Sequence, residues 1–281
     1  MSPASFLLRE RCESVFRLAN FKNMKRTYYS GILFLALTGL VFGADQAATI
    51  ELEPTADVGF IYSSTPPFRQ NLLGGGAAPS IGTSLHSGAP GRGACALLRF
   101  ELSKIPAGAT IESAELLLNP AYSYPKTAYE ANETLFVYQL AGENAEWVEG
   151  TGTSLKDPHN DPVTVPGANA TYVNMESYEN ETTHAGIRWL GGKTISTMDF
   201  DGEPLGSLAL SEFGLVKNQA VVIELSRDAI QAWLKDPKLA QAGLVLWMRS
   251  DDVQVTKSRF AIFESREGNV TPRLIIKYAD K

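Results

Sequence analysis

The chain of 281 residues carries 25 basic and 31 acidic side chains, a formal net charge of −6, and 44% hydrophobic residues. This apolar share is enough for a hydrophobic core and excludes a chain that is disordered throughout. The acidic balance disfavours binding to nucleic acid, which needs a basic face, and adsorption to an anionic membrane surface.

The N-terminus has the pattern of a secretory signal. The basic pair Lys25 and Arg26 precedes an apolar run at 31–42, and the small residues Gly43 and Ala44 follow. This order of basic, apolar and small-residue regions predicts export, with cleavage between Gly43 and Ala44. Residues 1–43 are therefore predicted to be a leader and signal peptide, and the mature protein to be secreted, either extracellular or periplasmic.

The apolar run is too short to cross a bilayer comfortably, because a span needs ~20 apolar residues. An uncleaved membrane anchor is the alternative to cleavage. The polar stretch before Met24 fits neither class, so Met24 is the expected true start. Removal of residues 1–43 leaves 19 basic and 29 acidic residues, a net charge of −10, and a single cysteine, Cys95. This lone cysteine lies in a strand-like run and is expected to be a buried, inert thiol.

From residue 45 onward the hydrophobic pattern has mostly a period of two, which is typical of β-strands. Some segments, such as 243–248, are apolar on both faces, as expected for a strand between two layers. Turns that contain glycine and proline, such as 105–108, separate the segments. The pattern predicts an all-β fold, a jelly-roll-type β-sandwich. Its expected strands are 49–53, 58–62, 96–102, 111–118, 135–140, 220–225, 244–249, 259–263 and 273–278.

One short amphipathic helix is predicted at about 226–236. Ser226 is a suitable N-cap, and apolar residues between 229 and 234 form one stripe. Pro237 is expected to end the helix. The helix is expected to close one end of the sandwich. Residues 44–281 contain no repeat and no linker, so they are predicted to form a single domain.

The segment 142–217 differs from the rest of the chain. It is rich in Gly, Asn, Thr, Asp and Pro and has only short apolar pieces, which predicts a long loop insert. Loops of this length are usually functional, mobile or decorated with small strands. This insert and the loop at 63–93 are therefore the expected places for binding.

The segment Leu97–Leu116 resembles the hallmark of the DNRLRE domains, which have been regrouped as carbohydrate-binding module family 96. Shorter segments resemble other parts of the family in the same order along the chain. These are Ala56-Asp57 for the opening strand, Asn71–Gly74 for the early glycine loop, Trp147–Gly152 for the central tryptophan motif, and Phe263–Glu267 with Pro272–Leu274 for the closing strands. Together they span roughly residues 48–279.

The resemblance implies a secreted, non-catalytic β-sandwich that binds extracellular polysaccharide and often accompanies polysaccharide-degrading enzymes. One group of the family is similar to alginate-binding modules, and a secreted enzyme is an implied partner. This chain departs from the family in having no enzyme on the same chain and a long acidic insert. Two alternatives remain. One is a structural or adhesive module of the cell surface or matrix, and the other is a cryptic polysaccharide lyase.

Sugar recognition uses flat apolar rings against C–H faces, together with charged or planar hydrogen-bond donors. Loop aromatics near basic residues are therefore the ligand-binding candidates. The alternative is that these aromatic rings cap the hydrophobic core. The predicted ligand-binding residues are Tyr62, Arg69, Tyr122, Tyr124, Lys126, Tyr129 and Trp189, with Phe68, Asn71, Arg188 and Lys193 as further loop candidates.

A structural calcium ion is the only cofactor that the sequence suggests. Asp199, Asp201 and Glu203 offer carboxylates around a glycine turn, and hard cations prefer oxygen ligands in such loops. Asp251-Asp252 is a weaker candidate. Solvated turns are the alternative interpretation of both segments.

The charged residues in the family-like motifs have two interpretations. Arg99, Arg266, Glu267 and Arg273 could contact a ligand, but we expect them to join strand ends in charged networks, because an arginine inside a strand usually has a carboxylate or carbonyl partner.

The sequence contains no local catalytic motif. His86, His159 and His184 are far apart, and neither a His-Glu-x-x-His helix nor a Gly-x-Ser-x-Gly elbow is present. The expectation is therefore a protein that is not an enzyme. A lyase that pairs a tyrosine with His86 or His184 is the catalytic alternative. It requires the tyrosine, one of these histidines and an arginine in one cleft.

Overall fold

Antiparallel strand pairing organises the computed structural model, which describes residues 47–63, 74–86, 92–130, 133–153, 163–180, 182–190, 192, 194–249 and 257–280. The predicted start at Met24 and the predicted cleavage site at Gly43 and Ala44 lie outside these residues. The strands are β1 (Ala47–Leu52), β2 (Pro54–Ser63), β3 (Ser80–Leu85), β4 (Arg92–Phe100), β5 (Thr110–Leu118), β6 (Thr134–Leu140), β7 (Tyr172–Asn180), β8 (Thr183–Arg188), β9 (Phe200–Ala209), β10 (Val221–Glu224), β11 (Leu244–Arg249), β12 (Arg259–Glu264) and β13 (Arg273–Ala279).

The strands form a sandwich of two sheets. The smaller sheet has the order β1-β13-β5-β10, and the larger has the order β12-β3-β4-β11-β6-β9, with β2 paired to β4. Consecutive strands repeatedly lie in opposite sheets, as β4 and β5, β5 and β6, β9 and β10, and β10 and β11 do. Such crossings between two antiparallel sheets are characteristic of a jelly roll. The predicted all-β sandwich is therefore confirmed.

The interior of the sandwich is filled from both sheets. Leu98 and Leu246 of the larger sheet belong to the same buried cluster as Leu116 and Ile276 of the smaller one. Each of these side chains is fully buried. Alternate residues of the strands supply this cluster because successive side chains on a strand point to opposite faces.

The central strands β4 and β11 bury their other face as well. Leu97 and Val245, the neighbours of Leu98 and Leu246, are also fully buried but belong to a second cluster. This second cluster lies on the outer face of the larger sheet, because neighbouring residues on a strand face opposite ways. The apolar character of both faces of 243–248 therefore reflects a third layer.

The insert at 142–217 supplies that third layer. Its residues Trp147, Val173 and Trp189 are buried together with Phe60 and Leu97 of the sheet. The indole Nε1 of Trp189 donates a hydrogen bond to the carbonyl oxygen of Asn169 at 2.7 Å. The insert therefore continues the hydrophobic interior instead of projecting from the sandwich.

The insert is more regular than the predicted loop. β7 and β8 form an antiparallel hairpin within it, and β9 pairs with β6 as a strand of the larger sheet. The register of β9 shifts opposite the segment Val137/Gln139. Turn-forming residues at the start of β9, among them Gly202 with a φ of 62°, are accommodated at this irregularity.

Three short α-helices accompany the strands of the described residues: α1 (Leu210–Phe213), α2 (Arg227–Trp233) and α3 (Pro237–Ala242). The predicted helix at 226–236 is present as α2, and Ser226 Oγ accepts a hydrogen bond from the Ala229 N–H at 3.3 Å. Pro237 also begins α3, because proline suits the first turn of a helix and Asp236 caps it. Within the described residues, no helix is both long and apolar enough to cross a membrane.

We expect Trp189→Ala to destabilise the protein by about 3–5 kcal/mol, because it empties the space of a large side chain that is 1% exposed. Leu190→Ala is the matched control, since the neighbouring Leu190 is 48% exposed and such surface changes usually alter stability by about 0.5 kcal/mol or less. Urea unfolding of both variants measures the difference. Equal losses would contradict the assignment of Trp189 to a buried third layer.

Candidate functional site

A cleft with a volume of about 460 Å³ is lined by residues of β2, β3, β4 and β12 and of the adjoining loops. We call it the His86 cleft. Its lining residues are Ile61, Ala78, Pro79, Ser80, Gly82, Thr83, Ser84, His86, Arg92, Ala94, Tyr122, Thr153, Phe260 and Ile262. The cleft combines apolar walls with two cationic or titratable groups, a phenol and several hydroxyls, which is the composition of a small-molecule site.

The strands fix the walls of the cleft. Phe260 and Ile262 come from β12, which pairs with β3. No side chain fits at Gly82 of β3, because a Cβ atom there would lie 2.5 Å from the carbonyl oxygen of Ala261. Tyr129 supports the wall formed by β12, because its hydroxyl donates a hydrogen bond to the Phe260 carbonyl at 2.8 Å.

Ser84, His86 and Arg92 interact within the cleft. Ser84 Oγ and His86 Nε2 are 3.1 Å apart, and the His86 ring meets the Phe260 ring edge-on at a centroid distance of 5.8 Å. Burial lowers the pKa of His86, and the positive charge of Arg92 lowers it further. His86 is therefore a neutral imidazole at neutral pH, and Arg92 is the cation of the cleft.

Of the predicted ligand-binding residues, Tyr122 lies in the cleft. Its side chain is 44% exposed, so its ring is available to a ligand. Tyr124 is half-buried, its backbone N–H donates to the Leu215 carbonyl at 2.8 Å, and burial raises its pKa. Lys126 is exposed in the 3₁₀ helix Lys126–Ala128, next to this pair.

Two predicted ligand-binding residues lie in the interior instead. Tyr129 is 7% exposed and Trp189 is 1% exposed, so neither ring face can contact a ligand. Tyr129 supports β12, and burial strongly raises its pKa. The core-capping alternative applies to both, because both are packed among apolar side chains. Arg69, Phe68, Asn71 and Lys193 lie outside the described residues.

Tyr62 belongs to a row of aromatic rings on the outer face of the larger sheet. Its ring stacks on Trp247 with a centroid distance of 4.6 Å and an interplanar angle of 11°. Trp247 contacts Phe200 at 5.0 Å, and Phe200 stacks on Tyr138 at 5.2 Å. Gly93 leaves space for this arrangement, since a Cβ atom there would lie 2.5 Å from the Tyr62 hydroxyl. Tyr62 and Trp247 are partly exposed, so they form a second aromatic surface outside the cleft.

A second histidine, His184, also contacts a tyrosine and an arginine. His184 Nδ1 and the Tyr172 hydroxyl are 2.7 Å apart, and Arg188 Nη2 donates to that hydroxyl at 3.2 Å. Tyr172 is 1% exposed and the three residues belong to the β7–β8 hairpin. The group therefore joins the two strands of the hairpin, and it does not line the His86 cleft.

The predicted calcium residues occupy the start of β9. Asp199 is fully buried, its Oδ1 accepts from the Leu190 N–H at 2.8 Å, and its Oδ2 accepts from the Ser196 N–H at 2.8 Å. Asp199 thus caps a 3₁₀ helix and holds two loops together. Glu203 is exposed, and the side chain of Asp201 lies outside the part of the chain that the structure describes. Calcium at these three residues stays a prediction.

The arginines of the family-like motifs bind protein groups. Arg99 Nη2 donates to the carbonyl oxygens of Ala145 and Trp147 at 2.8 Å, and its guanidinium lies 4.2 Å from the centre of the Trp147 ring. Arg273 Nη1 lies 2.6 Å from Glu51 Oε2 on the neighbouring strand β1. These contacts are those expected of the structural interpretation.

Comparison of the chain with models of known protein families and with curated protein sequences finds no match. The resemblance to DNRLRE domains therefore stays a prediction. What the fold and the site define is a β-sandwich with a third layer and a ligand-sized cleft lined in part by Tyr122, Arg92 and His86.

Sequence reasoning missed Arg92, Ser84 and Phe260 as residues of the site. Each belongs to a strand, and a strand residue gives no local signal of which cavity it will line. The available signal was positional, because Ser84 and Arg92 fall in the segment 63–93 that was expected to bind.

Acidification is expected to destabilise the protein partly through His86. The pKa of His86 is lowered in the folded state, so the unfolded chain, with an ordinary pKa of about 6.5, takes up the proton more readily. The stability contributed by neutral His86 is present above about pH 6.5 and is lost as the pH falls toward the lowered value. Urea unfolding between about pH 7.5 and 5 should show a smaller loss of stability in His86→Gln than in the wild type. Identical losses would contradict burial of His86.

Proposed function

We propose that the protein is an exported, non-catalytic module that binds an acidic extracellular polysaccharide in the His86 cleft. The observation that carries the proposal is that Tyr122, Arg92 and His86 line one cleft of about 460 Å³. The signal-like N-terminus supports export, and the predicted family supports polysaccharide as the ligand class.

The cleft has the groups that a uronic acid residue requires. The Tyr122 and Phe260 rings offer flat apolar surface for the C–H face of a sugar. Arg92 offers a planar donor for a carboxylate, and such pairs are frequently bidentate. Ser84 and the neutral His86 can exchange hydrogen bonds with sugar hydroxyls, because both can act as donor or acceptor.

The overall charge makes this local cation important. The full chain has a net charge of −6. The protein as a whole therefore repels a polyanion, and only a local basic group attracts it. Binding that depends on Arg92 is therefore expected to weaken as salt rises, since salt screens the attraction between exposed charges.

Tyr122→Ala is expected to weaken binding to a uronate polysaccharide such as alginate by about tenfold, because a lost ring contact of about 1–1.5 kcal/mol corresponds to that factor. Affinity electrophoresis at several salt concentrations measures the retention. Phe213→Ala is the matched control, because Phe213 is a 67% exposed ring that does not line the cleft.

Two outcomes would count against the cleft as the binding site. Equal retention of the wild type and Tyr122→Ala would remove Tyr122 from the site, and retention that does not change with salt would contradict the role of Arg92. Retention that depends instead on Trp247 would move the site to the aromatic row on the outer face.

A polysaccharide lyase is the second candidate function, and the same cleft favours it. His86, Tyr122 and Arg92 are the histidine, tyrosine and arginine that β-elimination next to a uronate would use as proton-transfer groups and carboxylate neutraliser. If the protein is a lyase, incubation with uronate polysaccharide should generate the ultraviolet absorbance of an unsaturated sugar, and His86→Gln should abolish it. We expect no such absorbance from the wild type, in line with a binding module, and its appearance would replace the binding proposal.

A further inference from the structure

An acidic group lies where the insert meets the sandwich, and none of its three residues lines the His86 cleft. Asp57 comes from β2, Glu149 from the first segment of the insert, and Glu267 from the turn between β12 and β13. One carboxylate oxygen of each residue lies within 4.8 Å of one from each of the others. Three distant parts of the chain therefore bring negative charge to one point.

Asp57 is the unusual member of the group. Its side chain is fully buried, and Oδ2 accepts a hydrogen bond from the Arg266 N–H at 2.6 Å. Oδ1 is equally buried but has no hydrogen-bond partner. A buried carboxylate oxygen without a partner is costly, because it has lost its hydration and gained nothing in return.

Arg266 neutralises only part of the charge. It lies 2.9 Å from Glu149 Oε2 and 3.0 Å from Glu267 Oε1, and it also donates to the carbonyl oxygen of Thr55. Three carboxylates and one guanidinium leave two negative charges when all four groups are ionised. A divalent cation would balance this remainder.

The backbone holds Glu149 in place without an ion. A Cβ atom at Gly76 would lie 2.2 Å from the Glu149 carbonyl oxygen, so these backbones approach more closely than a side chain allows. Glu149 Oε1 in turn accepts a hydrogen bond from the Asp57 N–H at 3.1 Å. Glu267 is exposed, so the group reaches the surface at this member.

We propose that Asp57, Glu149 and Glu267 bind one calcium ion. The donors are oxygen atoms only, which selects a hard cation. Two oxygens that share a calcium ion at about 2.4 Å can be no more than about 4.8 Å apart, and the three carboxylates meet this limit. Calcium is favoured over magnesium because it tolerates irregular coordination, whereas magnesium demands a near-ideal octahedron.

Calorimetric titration of the chelator-treated full chain with CaCl₂ at about pH 8, where carboxylates are ionised, tests the proposal. One calcium ion should bind per chain, more tightly than magnesium. The thermal midpoint should rise by about 5 °C or more when calcium is in hundredfold excess over its dissociation constant. Glu267→Gln should weaken calcium binding at least about tenfold, because it removes one of three charged ligands.

Two further variants make the result specific. Glu51→Gln removes a carboxylate that is also paired with an arginine, Arg273, and should leave calcium binding unchanged. Glu203→Gln tests the calcium site predicted from the sequence. Absence of calcium binding, or loss of it in Glu203→Gln but not in Glu267→Gln, would overturn the proposal. Glu267 is on the surface, so its variant is expected to fold even if a change at Asp57 does not.

Discussion

Burial of both faces of the larger sheet is the constraint on which the rest of the structure depends. β4 and β11 carry large apolar side chains on adjacent positions, so one face fills the sandwich and the other would expose Leu97, Val245 and Phe60 to water. Large contiguous apolar patches are rarely left exposed to water. The insert covers this patch, and this explains why a segment rich in polar and turn-forming residues contains buried tryptophans.

The polar groups that the insert buries must also find hydrogen-bond partners. Trp147 Nε1 donates to the Ala242 carbonyl at 2.9 Å, and Trp189 Nε1 donates to the Asn169 carbonyl at 2.7 Å. Arg99 binds carbonyl oxygens at the start of the insert, so it attaches the third layer to β4. The bonds of Trp147 and Arg99 fix the insert on the sandwich, and the bond of Trp189 joins two parts of the insert, because an indole or guanidinium left without its acceptors would be costly to bury.

The sandwich could be predicted from the sequence, but the contacts between its distant segments could not. The periodic strands were predictable, and Leu244–Arg249 was located at its observed bounds. β3 and β9 were missed because small and turn-forming residues, such as Gly82 and Gly202, interrupt their apolar pattern. Tyr122 could be selected as a loop aromatic, whereas Arg92 and Phe260 reach the cleft through strand pairing between distant segments. No local pattern encodes such convergence, and the same is true of Asp57, Glu149 and Glu267.

The two sites depend on the fold in different ways. The His86 cleft is framed by β12, an edge strand of the larger sheet, whose first residue Arg259 forms a buried ion pair with Glu133 at 3.1 Å. Its walls are therefore held by strand pairing and by internal contacts. The acidic group instead brings like charges, which repel at short range, to the contact between the insert and the sandwich, and Arg266 balances only part of them. A cation there would stabilise the contact between the insert and the sheet.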